Sequence, residues 1–461
     1  MSILAAFMVP HPPMIVPAIG KGSEAQIKET SLAYEKVADE IAALKPETII
    51  ISSPHSIMYS DYFHISPGRK AKGDFGRFAA SEVCFQEEYD TKLTDTLCDL
   101  CKEEDFPAGI LGERDPKLDH GTMVPLWFIR QKYKEGKILR LGLSGLSLEN
   151  HYHLGQLIEK AVKLTDTRAV FIASGDLSHK LQDYGPYGFA KEGPEYDARI
   201  MDVASRAAFG ELFDFSEDFC DKAAECGHRS FVIMAGLFDG LSVKAKQYSH
   251  QDVTGVGYGI CSFYPQGKDE TRHFLKEREA SILEKLKTKY EDADAYVKLA
   301  RKTIEHYVLT GEKIAVPQDL PKEMYEERAG TFVSIHKYGQ LRGCIGTIEA
   351  TQKNIASEII NNAISACSRD PRFDAVAPKE LEWLDISVDV LGKAELIDSK
   401  DELDVKRYGV IVSQGNKRGL LLPDLEGVDT PSDQVRIAAN KGRIDLSRPY
   451  QLERFEVIRH E

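Results

Sequence analysis

The sequence has little positive charge for its length and no long hydrophobic run. Its 461 residues include 59 lysines and arginines against 73 aspartates and glutamates, which gives a formal net charge of -14 at pH 7. Because a mostly acidic surface does not attract phosphate backbones or anionic lipids, we expect neither a nucleic acid nor a membrane as the main partner. The apolar run Ile3 to Val9 has no basic segment before it, and prolines interrupt it well before it reaches spanning length. We therefore expect a cytoplasmic protein.

Cysteine is also scarce, with eight residues at irregular spacings. In a long chain without a secretion signal, such cysteines are expected to be reduced thiols. Cys98 and Cys101 form a single Cys-x-x-Cys pair, and no second pair follows at the spacing of a zinc finger. No Cys-x3-Cys-x2-Cys motif occurs either, so we do not expect this chain to hold an iron–sulfur cluster in that way.

The length and the hydrophobic patterning indicate two domains. At 461 residues the chain exceeds the size at which a single hydrophobic core stops growing. In the first half, short β-branched runs alternate with amphipathic stretches, which predicts a layered α/β/α domain with a mostly parallel or mixed sheet over residues 1–265. The predicted strands of this sheet are Ile3 to Met8, Thr48 to Ser52, Ile138 to Leu143 and Ala169 to Ala173.

The composition changes after residue 265. Residues 266–284 lie in a highly charged stretch with helical spacing, and we predict that they form a linker. Residues 285–461 mix helical patterns with alternating strand patterns, including a hairpin around Gln414 to Lys417. We predict a second, smaller α+β domain there.

Four histidines in the first half each follow a short apolar run and lie at a turn. His11 stands in Pro-His-Pro-Pro and His55 in Ser-Pro-His, while His120 stands in Asp-His-Gly and His179 in Ser-Gly-Asp-Leu-Ser-His. The carboxyl ends of strands in an open α/β sheet bring side chains from distant segments together, and imidazole is the commonest metal ligand. The pattern predicts one metal site.

The expected metal depends on the third ligand. A redox-active Fe(II) site uses two imidazoles and one carboxylate on one face of the ion, which leaves the other positions for substrate and O2. We expect His11 and His55 to supply the imidazoles, and we favour Glu225 in Ala-Glu-Cys-Gly-His as the carboxylate. Cys226 and His228 are rival third ligands, and if the Cys226 sulfur faces the ion, Zn²⁺ or copper is favoured over Fe(II).

The two remaining histidines are candidates for catalysis. His179 lies three residues after Asp176 in a turn of small residues, which exposes an imidazole while fixing its position. An unligated histidine beside a metal can accept a proton from a substrate hydroxyl and return it later. His120 could donate to a substrate or to bound oxygen, or it could cap the apolar helix that follows it.

Together these motifs resemble the LigB-type class III extradiol dioxygenases over roughly residues 1–265. The resemblance implies that Fe(II) is the cofactor and that the substrates are O2 and a small catecholic or hydroxylated aromatic molecule. It also implies a role for each residue of the site: metal ligation for His11, His55 and Glu225, acid–base catalysis for His179, and lining of the pocket for His120.

The related Memo proteins resemble the same region and carry a cysteine at the third-ligand turn. That resemblance keeps open a metal-binding or redox scaffold protein that uses Cys226. A metal-dependent hydrolase, in which His179 activates water, is a further alternative.

Three motifs in the second half, in order, resemble the AMMECR domain family. They are Leu341 to Thr347, Ser368 to Phe373, and Arg418 to Pro423. The resemblance implies an α+β fold but no reaction, because the activity of the family is not established. It also points to a candidate binding cleft near Arg342, Cys344 and Arg372.

The combination of the two halves resembles the AmmeMemoRadiSam system, in which these modules occur fused and accompany a radical SAM enzyme. The resemblance implies a separate radical SAM protein as a partner. It also implies that the AMMECR module binds the substrate or a partner protein.

Overall fold

A computed structural model describes residues 3–114, 117–425 and 427–461. The chain forms two compact units, divided between Arg278 and Glu279. The predicted linker, residues 266–284, holds the end of a strand, a 3-10 turn and the beginning of a helix. In the described part of the chain, no helix combines the length and the apolar character that crossing a bilayer requires.

The strands and helices of the first unit alternate along the chain. Its strands are β1 (Ile3–Val9), β2 (Thr48–Ser53), β3 (Phe63–His64), β4 (Lys70–Phe75), β5 (Ala80–Glu88), β6 (Ala108–Gly109), β7 (Lys137–Gly142), β8 (Ala169–Ser174), β9 (Leu241–Val253) and β10 (Val256–Lys268). Its helices are α1 (Pro17–Gly20), α2 (Lys28–Leu44), α3 (Thr91–Glu103), α4 (His120–Lys132), α5 (Leu148–Thr165), α6 (Glu192–Arg206), α7 (Glu217–Ala223), α8 (His228–Gly236) and α9 (Phe274–Asp292), the last of which contains the division between the units.

Six of these strands form one mixed sheet, in the order β7-β2-β8-β1-β10-β9. The first four run parallel, whereas β10 pairs antiparallel with β1 and β9 pairs antiparallel with β10. Side chains of β2 alternate between two hydrophobic cores, with Ile50 in one and Ile49 and Ile51 in the other. The predicted α/β/α layering with a mixed sheet is confirmed.

The parallel arrangement places the carboxyl ends of β1, β2 and β8 at one edge of the sheet. The turns that carry His11, His55 and His179 all leave the sheet at this edge, as expected for ligand sites in open α/β sheets. The sequence analysis did not predict the β4–β5 hairpin, in which charged residues and a central glycine obscure the alternation of apolar side chains.

The second unit is an antiparallel sheet packed against helices. Its strands are β11 (Thr331–Lys337), β12 (Gln340–Gly346), β13 (Leu384–Leu391), β14 (Glu395–Ile397), β15 (Tyr408–Gln414), β16 (Lys417–Leu421) and β17 (Gln451–His460), and its helices are α10 (Ala295–Thr310), α11 (Lys322–Glu326), α12 (Ile355–Ser368) and α13 (Pro431–Lys441). The strands follow the order β12-β11-β13-β17-β15-β16, and β14 also pairs with β17. The predicted α+β class is confirmed, and β15 and β16 form the expected hairpin.

Candidate metal centre

Three histidine rings meet at the carboxyl edge of the first sheet. The ring centroids of His55 and His120 are 4.0 Å apart and nearly stacked, and those of His11 and His55 are 4.7 Å apart. The ring of His11 lies 5.4 Å from that of His120. These residues follow β1 and β2 and begin α4, so the topology of the sheet brings together side chains that are distant in sequence.

Two close backbone approaches allow this convergence. Gly121 lies so close to β2 that a Cβ atom there would stand 2.4 Å from the Ser53 hydroxyl oxygen. A Cβ atom on Gly175 would stand 2.1 Å from the Cα atom of Gly227. At Gly175 the neighbour is backbone, so a side chain would push the ligand-bearing turns apart, whereas at Gly121 a side chain would displace the Ser53 hydroxyl.

The orientation of His11 is set by a chain of two hydrogen bonds. The hydroxyl of Ser174 donates its only proton to the carbonyl oxygen of Gly121 at 2.6 Å. Its oxygen therefore accepts from Nδ1 of His11, which lies 3.0 Å away. The proton of a neutral His11 ring is thereby held at Nδ1, and the Nε2 lone pair faces the cluster.

The Cys226 thiol completes a set of three possible metal ligands. Its sulfur lies 3.6 Å from Nε2 of His11, and the ring nitrogens of His11 and His55 lie 2.9 Å apart. One ligand atom from each of these three residues lies within 4.8 Å of the other two. Two imidazole nitrogens and a sulfur converging in this way fit a transition-metal ion, and they suit iron, zinc or copper better than a hard cation such as Mg²⁺.

The surroundings of the three imidazoles favour the neutral form, which is the form that binds a metal. The pKa of His11 lies well below its usual value because the ring is buried and faces His55. His55 is exposed on its outer side, but desolvation where it packs against the other rings lowers its pKa, and desolvation lowers the pKa of the half-buried His120 to about 4. Burial and the carboxylate of Asp176 raise the pKa of the Cys226 thiol, so this thiol needs a cation to become a thiolate.

The structure does not bring Glu225 into this set, although the sequence analysis favoured it as the third ligand. Its carboxylate accepts a hydrogen bond from the backbone N–H of His228 at 2.5 Å, at the start of α8. Burial raises its pKa to about 7. His228, the other rival, is buried among aromatic rings, and its Nε2 donates to the carbonyl oxygen of Leu212 at 3.0 Å. Of the three candidates, the side chain that faces His11 is Cys226.

His179 lies beside the cluster with one nitrogen engaged. Its Nδ1 donates to the carbonyl oxygen of Ala224 at 2.6 Å. The neutral ring therefore presents an unprotonated Nε2, which lies 4.0 Å from a carboxylate oxygen of Asp176. Asp176 also accepts from the backbone N–H of His11 at 2.7 Å, and burial raises its pKa. Asp176, His179 and Cys226 form a second group whose ligand atoms lie within 4.8 Å of one another.

His120 lines the cluster and does not cap its helix. The cap of α4 is Asp119, whose carboxylate accepts from the backbone N–H of Thr122 at 3.0 Å. Of the two alternatives that the sequence left open for His120, the structure therefore excludes the cap and places the ring against His11 and His55. Ser174 was not predicted, because its only signal in the sequence is a polar residue at the end of an apolar strand.

The candidate cleft of the second unit is arranged differently from the expectation. Arg342 makes a bidentate ion pair with Glu380, at 2.9 and 3.0 Å, so its guanidinium is occupied inside the protein. Arg372 pairs with Asp370 and also donates to the carbonyl oxygen of Cys344 at 3.2 Å. Asp370 accepts from the backbone N–H of Cys344 at 2.9 Å, so this carboxylate links Cys344 to Arg372.

Comparison with known proteins gives a family for each unit. Residues 5–261 match the family described as catalytic LigB subunit of aromatic ring-opening dioxygenase, and residues 297–460 match AMMECR1. Protein CA_C1420 of Clostridium acetobutylicum is 40% identical over 469 residues, covering 100% of both chains. A Thermotoga maritima protein is 48% identical over 168 residues, which cover 36% of this chain and 97% of that protein.

A solved structure, that of the uncharacterized protein PH0010 from Pyrococcus horikoshii, covers 36% of this chain and 89% of its own, at 31% identity and a TM-score of 0.35. The matched regions follow the two units of the fold, LigB first and AMMECR1 second. The chain therefore belongs to the LigB family of aromatic ring-opening dioxygenases and carries an AMMECR1 domain in its second unit.

Proposed function

We propose that the first unit is a non-haem Fe(II)-dependent oxidoreductase that uses O2 to cleave a catecholic or other hydroxylated aromatic ring. The observation that carries the proposal is the convergence of His11, His55 and Cys226 beside His179, whose Nδ1 is engaged by a backbone carbonyl. The three converging residues would hold the ion. When bound, Fe(II) supplies a site where substrate oxygens and O2 are held together and activated.

His179 is the proton acceptor in this proposal. Because Nδ1 donates to Ala224, Nε2 is free to take the proton from a substrate hydroxyl, which leaves the substrate oxygen negatively charged. The same nitrogen can return the proton to the product. The neighbouring carboxylate of Asp176 stabilises the imidazolium in the interval.

A second candidate function rests on the sulfur of Cys226. A thiolate ligand favours softer ions, so a Memo-like protein that binds copper or zinc for a redox or scaffold role also fits the donor set. In that case the protein with copper or zinc bound would not consume O2 when phenolic compounds are added. A metal-dependent hydrolase at the same site is the third candidate, with Nε2 of His179 taking a proton from water.

The role of the second unit is a proposal of its own. We propose that the AMMECR1 domain binds the substrate or a partner of the first unit, and that a radical SAM protein is that partner. The exposed Arg372, which lies at the backbone of Cys344, supports a binding surface at this place.

Metal analysis combined with oxygen uptake tests these proposals. The full chain is purified without oxygen, its bound metals are quantified, and oxygen consumption is followed on a panel of catechols and other hydroxylated aromatics. We expect one Fe(II) per chain and uptake with at least one ring. His179→Ala should keep the metal and lose uptake, whereas His55→Ala should lose the metal. Full metal loading without uptake on any compound would favour the Memo-like candidate.

A further inference from the structure

An unusual loop follows His179. We call residues 181–190 the aromatic loop. Two backbone hydrogen bonds anchor its base, one from Leu181 to the carbonyl oxygen of Gly255 at 3.1 Å and one from Ala190 to that of Lys180, also at 3.1 Å. Leu181 and Phe189 also form an antiparallel bridge. The base of the loop is therefore anchored, and the loop begins two residues after His179.

Exposed aromatic side chains are concentrated on this loop. Among the described residues, four aromatic side chains are strongly exposed, and three of them belong to it: Tyr184 at 77%, Tyr187 at 59% and Phe189 at 52%. The fourth is Tyr450. Leaving several large rings in water forgoes the free energy of burying them, and such clusters beside a cavity are typical of binding surfaces.

One ring of the loop contacts the candidate active site. The ring of Tyr187 meets that of His179 edge-on, with centroids 5.2 Å apart and planes at 84°. On another side of the cluster, the ring of Phe78 meets His120 edge-on at 5.6 Å. In the described part of the chain, aromatic contacts to these two histidines from outside the histidine cluster come from Tyr187 and Phe78. An aromatic ring thus lies beside His179 and another lies beside His120.

The contact leaves much of Tyr187 open. More than half of its surface remains accessible. A large ring that lies against the imidazole of His179 and is otherwise open to solvent offers apolar area for stacking on a planar ligand. Phe78, in contrast, is partly buried against the core that contains Phe75 and Phe85.

We propose that Tyr187 is a specificity-determining residue that selects a planar aromatic ligand by stacking on its ring while the ligand oxygens reach the metal. This inference rests on the proposed function, since it requires a ligand that binds at the metal centre. Tyr187 acts as a positioning residue: it fixes the plane of the ring beside Nε2 of His179 and takes no part in the proton transfer.

Anaerobic binding measurements on the Fe(II)-loaded full chain test the role of Tyr187. Two probes are used: 4-nitrocatechol, which binds metals through two oxygens on a flat ring and changes its absorbance on doing so, and acetohydroxamate, which offers two oxygens and no ring. Tyr187→Ala should weaken 4-nitrocatechol binding by about two- to tenfold, the range for loss of one aromatic contact. Its affinity for acetohydroxamate should not change.

Two variants serve as controls. Tyr187→Phe keeps the ring and should bind 4-nitrocatechol like the unaltered protein. Tyr184→Ala removes the most exposed ring of the same loop and should also bind normally.

Three outcomes would contradict the inference. Unchanged 4-nitrocatechol affinity in Tyr187→Ala would overturn the stacking role alone, with the proposed function intact. Equal weakening of both probes would overturn it as well, because the substitution would then act on the metal site and not on the ring. If 4-nitrocatechol does not bind the loaded, unaltered protein, the proposed function fails and the stacking role fails with it.

Discussion

His179 donates from Nδ1 to the carbonyl oxygen of Ala224 at 2.6 Å, two residues before Cys226. One turn of the chain, after α7, therefore presents the sulfur of the candidate metal site and also fixes the tautomer of the candidate acid–base residue. Because a histidine can accept a proton only at an unprotonated nitrogen, this bond makes Nε2 the acceptor in the proposed reaction. The proposed metal binding and the proposed proton transfer thus depend on the same short segment.

The hydroxyl of Ser174 should control metal affinity through His11. In Ser174→Ala, Nδ1 of His11 loses its acceptor, so the ring can rotate or change tautomer. Loss of such a partner typically lowers metal affinity by about 10- to 100-fold. Competition with a chromogenic chelator measures the effect. Ser262→Ala removes another buried serine of the same sheet and should leave the affinity unchanged.

Substitutions of the adjacent residues Cys226 and Glu225 should have opposite effects on metal binding. We expect Cys226→Ala to abolish stoichiometric metal binding, because it removes one of three converging ligands. Glu225→Gln keeps an oxygen acceptor for the backbone N–H of His228 and should retain the metal. Elemental analysis measures the metal content of the two purified variants. Metal loss in Glu225→Gln and metal retention in Cys226→Ala would show that the carboxylate is the ligand.

Acid should destabilise the first unit through His151. This ring is fully buried, its Nδ1 donates to the carbonyl oxygen of Ser147, and burial lowers its pKa to about 3. The unfolded chain takes up this proton near pH 6.5 and the native state does not, so stability is present above pH 6.5 and falls toward pH 3. One such histidine costs about 1.4 kcal/mol per pH unit within that window.

Thermal unfolding as a function of pH measures this effect. The midpoint of His151→Gln should fall less steeply between pH 6.5 and 4.5 than that of the unaltered protein. His153→Gln removes a half-exposed histidine of the same helix and should preserve the original slope. Parallel curves for all three proteins would contradict the assignment.

Arg342 and Arg372 should have different effects on the second unit. Arg342→Ala leaves the buried Glu380 without its bidentate partner, although Lys337 remains at 3.2 Å, so we expect a loss of about 2–3 kcal/mol of unfolding free energy. Arg372→Ala removes an exposed guanidinium, and two backbone N–H groups still satisfy the buried Asp370 carboxylate, so we expect about 1 kcal/mol or less. Chemical denaturation compares them, and equal losses would argue against the structural role of Arg342.

The pattern of the sequence was sufficient for the architecture. Strands such as β2 and β8 are continuous apolar runs, because helices cover both faces of the sheet, and such runs are easily recognised. The β4–β5 hairpin was missed because it is rich in charged residues. Its apolar positions are too few to establish a period of two.

The sequence by itself determined that His11, His55 and His179 lie at one edge of the sheet, because each follows a strand of its parallel part. It could not decide between Glu225 and Cys226. Adjacent residues in a turn point in different directions, and the direction depends on the approach of Gly175 to Gly227 and on the start of α8. Only the tertiary structure turned the sulfur toward His11 and the carboxylate toward a backbone amide, since both orientations arise from contacts between segments far apart along the chain.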